Sequence, residues 1–169
     1  MSDPSPVVPV PGPVLRAEAR RMVTAAGHRR LLPSRCRVGR PGGQAVELPD
    51  DVDPGDAGLL ADLVERALDG LADLAPPVAG ARGGHEVPVL AWVARSGELE
   101  PGDTDLAWLR AARTGFWRHG LALPCFLVIG RHGWVDLVGG TGHTWSRVRA
   151  SRSGGAPSPQ GGPGRQGPG

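Results

Sequence analysis

Two short runs of this chain are apolar at consecutive positions rather than at alternating ones. They span residues 87–94 and 121–129. A strand that is covered on both faces of its sheet has this pattern, whereas a strand with one solvated face alternates apolar and polar residues. Both runs are shorter than the roughly 20 apolar residues that a membrane-spanning helix needs. The pattern therefore predicts two strands in the interior of a sheet.

The segment between these two runs has the periodicity of a helix. Apolar residues recur at helical spacing over residues 104–119, with Asp103 and Asp105 at the start and Gly120 at the end. Acidic residues stabilise the first turn of a helix, and glycine is common where a helix stops. Two interior strands joined by a helix run parallel, through a right-handed crossover. We therefore expect the strands over 87–94 and 121–129 to be parallel and adjacent or nearly adjacent.

Other segments have the pattern of antiparallel strands joined by turns. Residues 130–133 form a tight, glycine-flanked connection, which predicts a return strand over residues 134–138 beside its predecessor. Residues 40–43 are typical of a turn, which predicts a hairpin of residues 36–38 and 44–48. Residues 143–148 are a candidate for one more edge strand.

Two further helices are predicted in the first half of the chain. The first spans residues 14–28, and its polar side and end are rich in arginine. The second ends before the proline pair at 76–77, because the residue before a proline avoids helical geometry. Its apolar stripe consists of Leu60, Val64, Ala67, Leu71 and Leu74.

Together these elements predict a single compact domain of the α/β (or α+β) class, with helices packed on a mixed sheet. The domain spans residues 14–150, a length that allows one substantial core. The proline-rich residues 1–13 and the Gly/Pro/Ser-rich residues 151–169 contain too few apolar side chains to form a core. We expect both ends to be disordered.

The composition changes how charge is interpreted. The chain has no lysine, asparagine or tyrosine, and all 19 of its basic residues are arginine, as a GC-rich genome would encode. Every surface cation must then be an arginine, so an arginine here is less informative about function than usual. The net charge is only +2, which is weak support for a dedicated nucleic-acid binder.

The N-terminal residues and the cysteines predict the compartment. The first residues lack the basic and apolar blocks of a signal peptide. Cys36 and Cys125 stand alone, without the paired spacing of a disulfide framework or a zinc site. We therefore expect a cytoplasmic protein that has two buried thiols and no membrane partner.

The predicted parallel strands indicate where a ligand would bind. In an open sheet, ligands bind beyond the carboxyl ends of parallel strands, and the N-terminus of the connecting helix offers free N–H groups to an anion at the same edge. The basic residues and the serine would surround a phosphate or carboxylate, and the acidic residues would act as a base or bind a cation. Ordinary polar loop residues have the same composition, however. The candidate ligand-binding residues are Arg95, Ser96, Glu98, Asp103, Arg131 and His132.

Metal and cofactor sites have little support from residue spacing. None of the five histidines lies at the helical or tight-turn spacing of a zinc site. A set formed by Cys125, His132 and Asp136 is conceivable, but Cys125 lies within an apolar strand. The glycine-rich residues 139–142 lack the lysine and the following helix of a phosphate-binding loop. We expect no metal and no cofactor.

Tryptophan is the unusual apolar residue, with five copies beside two phenylalanines. Trp92 and Trp117 fit the core of the strand–helix–strand unit, and Trp108 lies near the margin of the apolar face of its helix. An exposed tryptophan would indicate a surface for a partner, because tryptophan is enriched at protein interfaces.

No stretch of the chain matches a catalytic or binding motif specific enough to name an activity. The lack of a constellation of nucleophile, base and orienting group favours a non-catalytic protein-binding or regulatory module. The alternative is a small enzyme or an anion (phosphate or carboxylate) binder at the strand ends. Weak nucleic-acid binding through the arginines of the first helix and the tail ranks third. The sequence leaves open whether the protein is catalytic, which partner it binds and its oligomeric state.

Overall fold

The computed structural model describes residues 10–27, 34–73 and 87–145. These residues form three helices and six strands. The bounds of the elements are α1 Gly12–Ala26, β1 Arg35–Gly39, β2 Ala45–Glu47, α2 Ala57–Asp73, β3 Leu90–Ala94, α3 Asp103–Arg118, β4 Phe126–Gly130, β5 Gly133–Asp136 and β6 Gly142–Thr144.

The six strands form one mixed sheet in the order β2-β1-β3-β4-β5-β6. The central strands β3 and β4 are parallel neighbours, with Ala91 opposite Phe126 and Ala94 opposite Ile129. The other neighbouring strands pair in antiparallel orientation, including the β1–β2 and β4–β5 hairpins. Helix α3 joins β3 to β4, so the predicted crossover unit is confirmed, and the fold is a single compact α/β domain.

Both interior strands begin later than the apolar runs that predicted them. The first starts at Leu90 rather than at residue 87, and the second at Phe126 rather than at residue 121. Pro88 and Pro124 lie two residues before these starts. Proline has no N–H to donate to a neighbouring strand, so ladder pairing begins only after it.

Alternate residues of the two interior strands build separate cores on opposite faces of the sheet. One core packs against α2 and α3, and the other packs against α1. This arrangement explains why both strands are apolar at every position. The residues in the first core are Ala91, Val93, Phe126 and Val128, and those in the second are Leu90, Trp92, Leu127 and Ile129.

Helix α3 packs closely on α2 through a glycine. A Cβ atom at Gly115 would lie only 2.7 Å from Cγ1 of Val64 and 3.4 Å from the carbonyl oxygen of Ala61. Beyond this contact, the guanidinium of Arg118 binds the carboxylate of Glu65 at 2.5 Å. These two contacts hold the C-terminal part of α3 against α2.

The interpretation of Trp117 as a core residue is wrong. Trp92 is 1 % exposed, as expected, but Trp117 is 77 % exposed. The preceding residue, Phe116, is 1 % exposed and fills the core position instead. Neighbouring residues on a helix point about 100° apart, and here Phe116 points into the core whereas Trp117 points to solvent. Trp108, expected at the margin, is buried at 4 % exposure.

The described part of the chain starts at Val10, which is 4 % exposed and packs in the core beneath α1. Residues 1–9 and 146–169 lie outside it, so the disorder expected of both ends stays a prediction. Leu74 and the end of the predicted strand over 143–148 also lie outside the described residues. None of the helices within 10–27, 34–73 and 87–145 is long and apolar enough to cross a membrane.

Both cysteines are free and buried, Cys36 at 1 % and Cys125 at 0 % exposure. Burial raises the pKa of each thiol, that of Cys125 to about 12 with a further contribution from the negative charge of Asp136. We therefore expect neither thiol to react with a disulfide reagent at pH 8 in the folded protein, because the thiolate is the reactive form. Both should react at once in 6 M guanidinium chloride; labelling of either in the native state would contradict this packing.

Candidate functional site

The loops that follow β3 and β4 meet at one edge of the sheet. Because the two strands are parallel neighbours, the chain leaves Ala94 and Gly130 side by side. Leu99 of the first loop packs on the glycines of the second: a Cβ atom at Gly130 would lie 3.3 Å from it, and one at Gly133 would lie 2.9 Å away. These are the two loops in which the sequence predicted a ligand site.

Arg95 uses its guanidinium group to hold this edge together. Its Nε donates to both carboxylate oxygens of Asp105, at 3.2 and 3.0 Å, and its Nη2 lies 2.9 Å from Oδ2. Nη1 donates to the carbonyl oxygen of Glu98 at 2.6 Å, and Nη2 donates to that of Glu100 at 2.7 Å. Asp105 is 2 % exposed and Arg95 16 %. Most N–H donors of the guanidinium are therefore already bonded within the protein.

The start of α3 carries carboxylates of its own. Asp105 accepts a hydrogen bond from the backbone N–H of Gly102 at 2.9 Å, and Asp103 lies in the same first turn. The N-terminus of a helix attracts an anion through its free N–H groups and its dipole. The negative charges of Asp103 and Asp105 in that turn oppose the binding of an anionic ligand there.

A shallow pocket of about 490 Å³ lies beside this helix start, and we call it the strand-end pocket. Of the predicted residues it brings together Arg95, Glu98 and Asp103, whereas Ser96, Arg131 and His132 do not line it. Its four acidic residues outnumber its one arginine, so its charge disfavours a phosphate or carboxylate. The lining residues are Ser34, Arg95, Glu98, Glu100, Pro101, Gly102, Asp103, Thr104 and Asp105.

Arg131 and His132 form the two-residue turn between β4 and β5. Their backbone carbonyl oxygens bind Trp145: the indole Nε1 donates to Arg131 at 3.2 Å, and the backbone N–H donates to His132 at 2.9 Å. The turn is thereby tied to the residue that follows β6. Its backbone has a clear structural role, and its two side chains stand apart from the strand-end pocket.

Asp136 is a buried carboxylate at the end of β5, with 4 % exposure. Its Oδ1 accepts from the backbone N–H groups of Phe126 and Val138, and its Oδ2 accepts from that of Gly139, each at 3.0 Å. Within the described residues, no three His, Cys, Asp or Glu side chains come together as metal ligands. The conceivable set of Cys125, His132 and Asp136 therefore does not converge.

A second concavity, of about 370 Å³, lies on the face of the sheet that carries α1. We call it the α1 groove. One wall is the start of α1, and the other is formed by β5, β6 and the residue after β6. Trp134 and Trp145 are half-buried, and His143 is exposed. The groove is lined by Gly12, Pro13, Arg16, Arg20, Trp134, His143 and Trp145.

A third surface is the outer side of α3. Trp117 is 77 % exposed, and Leu121, just beyond the helix, is 47 % exposed. Arg113 and Arg110 lie four and seven positions before Trp117, on the same stripe of the helix, and both are exposed. We call these four residues the Trp117 face.

Sequence reasoning missed the α1 groove and misplaced Trp117. A signal for each exists in the chain. Trp134 precedes the glycine-rich residues 139–142, and His143 and Trp145 alternate after them, which is the spacing of aromatic side chains on one face of a hairpin. In α3, Phe116 and Trp117 are adjacent and point about 100° apart, so the sequence indicates that the two rings face different surroundings.

No protein-family model matches the chain, and neither a curated protein nor a solved structure is detectably similar to it. The case for a function therefore rests on the chemistry of the three surfaces.

Proposed function

We propose that this domain is a non-catalytic binding module that takes a protein partner on the Trp117 face. The observation that carries the proposal is the exposure of Trp117, which is 77 % on a helix whose other aromatic side chains are buried. A large apolar side chain in water costs free energy that a partner would recover by covering it. Tryptophan and arginine are also the residues that most often dominate binding energy at protein interfaces.

The chemistry of the Trp117 face indicates an acidic partner. Arg110 and Arg113 form no ion pair or hydrogen bond through their side chains with the residues that the structure describes. Arg118, on the neighbouring stripe, is already paired with Asp62 and Glu65 of α2. Two unpaired cations beside an indole and a leucine complement a surface that has carboxylates around an apolar pocket.

The alternative, a small enzyme or anion binder at the strand ends, has less support. The strand-end pocket has an excess of acidic residues, and its arginine is bound to Asp105 and to two backbone carbonyls. A cytoplasmic location remains part of the proposal. It is supported by two free cysteines, since reducing compartments keep thiols unpaired.

The proposal is tested by photo-crosslinking in cells that express the gene. A photoreactive amino acid replaces Thr114, which lies on α3 beside the Trp117 face, so that Trp117 and the arginines stay intact. We expect one discrete adduct with an acidic protein, and we expect Arg113→Glu in the same chain to abolish it, because the charge reversal repels carboxylates.

The matched control places the same photoreactive residue at Arg66, an exposed position of α2. This position should yield no discrete adduct. Equal adducts at both positions, or an adduct at Thr114 that survives Arg113→Glu, would show that the Trp117 face is an ordinary surface.

A further inference from the structure

The α1 groove is built from two cross-strand aromatic positions and one helix. Trp134 of β5 is directly opposite His143 of β6, and opposite Ile129 of β4 on its other side. Directly paired residues of antiparallel strands point to the same face of the sheet, and here that face carries α1. Trp145 lies two residues after His143, and the two rings are 6.4 Å apart between centroids. Indole and imidazole surfaces thus form one wall of the groove.

The opposite wall carries two cations of α1. Arg16 and Arg20 lie one helical turn apart and both line the groove. The only acidic residue of α1, Glu18, is turned toward the β1–β2 hairpin. There its carboxylate binds Arg37 at 3.3 Å, Arg21 at 2.9 Å and the backbone N–H of Gly42 at 3.1 Å. Helix α1 therefore presents Glu18 and Arg21 to the hairpin side, and Arg16 and Arg20 to the groove.

Carboxylates are missing from the lining of the groove as the structure describes it. Asp136 is the nearest acid along β5, two positions after Trp134, and its oxygens are bound by three backbone N–H groups. The sequence after Asp136 continues this charge bias: it contains four arginines and no acidic residue. The groove thus combines flat aromatic surfaces with one cation, Arg20, whose side chain forms no ion pair or hydrogen bond with the residues that the structure describes.

We propose that the α1 groove binds a nucleotide unit, with the base stacked on Trp145 or Trp134 and the phosphate bound by Arg20. Stacking on aromatic side chains beside a basic track is how single-stranded nucleic acids are held without sequence readout. The volume of about 370 Å³ falls in the size range of small-ligand sites and suits one nucleotide rather than a duplex. Helix α3, which carries the Trp117 face on its outer side, packs on the other core of the sheet, so this proposal does not depend on the proposed function.

The test is a titration of the full-length protein with a fluorescein-labelled single-stranded (dT)12 oligonucleotide and, separately, with thymidine monophosphate. We expect Arg20→Glu to weaken binding about tenfold or more, since charge reversal replaces an attraction to phosphate with a repulsion. Trp145→Phe retains a ring for stacking, so affinity should fall less, while part of the ligand-induced quenching of tryptophan fluorescence is lost. Binding should also weaken as salt rises, because each neutralised phosphate releases counterions.

The probes distinguish the sources of the ligand. Binding of the mononucleotide identifies a free nucleotide, and binding of (dT)12 alone identifies a single strand; both outcomes support the proposal. The matched control is Arg66→Glu, the same charge change at an exposed position of α2, which packs on the opposite side of the sheet. The proposal is overturned if neither probe binds, if Arg66→Glu weakens binding as much as Arg20→Glu does, or if a poly-glutamate peptide of equal charge binds as tightly as (dT)12.

Discussion

Replacing Arg95 with alanine is expected to lower the free energy of unfolding by about 3–5 kcal/mol, the range measured when one partner of a buried ion pair is removed. Asp105 would remain buried at 2 % exposure without its guanidinium. The carbonyl oxygens of Glu98 and Glu100 would also lose their donors. A residue that sequence patterns predict to bind a ligand thus acts, in this fold, as the clamp that joins a loop to a helix start.

This effect is measured by urea denaturation of Arg95→Ala, Asp105→Ala and the double variant, with Arg113→Ala as control. Arg113 is exposed and unpaired in the described part of the chain, so its replacement should change stability by less than about 0.5 kcal/mol. The double variant should lose less free energy of unfolding than the two single variants lose in sum. The reason is that each single variant leaves one buried charge without its partner. If the stability losses of the two single variants add up to that of the double variant, or if Arg95→Ala is as stable as wild type, Arg95 does not join the loop to the start of α3 as described.

Replacing Asp136 with alanine is expected to cost about 2–4 kcal/mol, since it removes three hydrogen bonds to a charged acceptor. The N–H of Phe126 lies in a fully buried residue and would be left without its acceptor. The N–H groups of Val138 and Gly139 belong to exposed residues and can turn to water, which limits the loss. Asp136→Asn keeps one oxygen acceptor and should cost less than alanine does.

The matched control for Asp136 is Asp51→Ala, an acidic residue that is exposed in a turn. Its replacement should leave the unfolding midpoint nearly unchanged. If Asp136→Ala unfolds at the same urea concentration as Asp51→Ala, the carboxylate does not organise the end of β5 as the hydrogen bonds indicate.

The order of the elements could be predicted from the sequence because each one has a local signal. The interior strands are apolar at every position, α3 has a helical stripe, and residues 130–133 form a two-residue turn flanked by glycines. The strand starts were predicted too early because apolarity does not reveal pairing. Val87, Val89 and Leu123 are partly buried against the cores without being in a strand.

The candidate site could be predicted only as an edge of the sheet. The topology correctly brings the loops after β3 and β4 together, but the partners of their side chains depend on contacts between distant positions. Asp105 lies ten positions after Arg95 and reaches it only because α3 starts beside the loop. The α1 groove joins Arg16 and Arg20 to Trp145 across most of the chain, which no local pattern encodes.

The Trp117 face and the α1 groove lie on opposite faces of the sheet, so experiments can separate their effects. Arg113 and Trp117 belong to α3, and Arg20 belongs to α1. A substitution on one helix therefore serves as the control for binding at the other. Substitutions that impair both kinds of binding equally would indicate a change in the fold rather than in a surface.

The central claim is tested most directly by the affinity of the purified crosslinked partner for wild-type protein, Trp117→Ala and Arg20→Glu, measured by calorimetric titration. Because a central tryptophan at an interface contributes about 2 kcal/mol or more, Trp117→Ala should weaken binding by at least about 30-fold. Arg20→Glu, on the far side of the sheet, should bind as wild type does. Equal affinities for wild type and Trp117→Ala would contradict the claim that this face of α3 is where the partner docks.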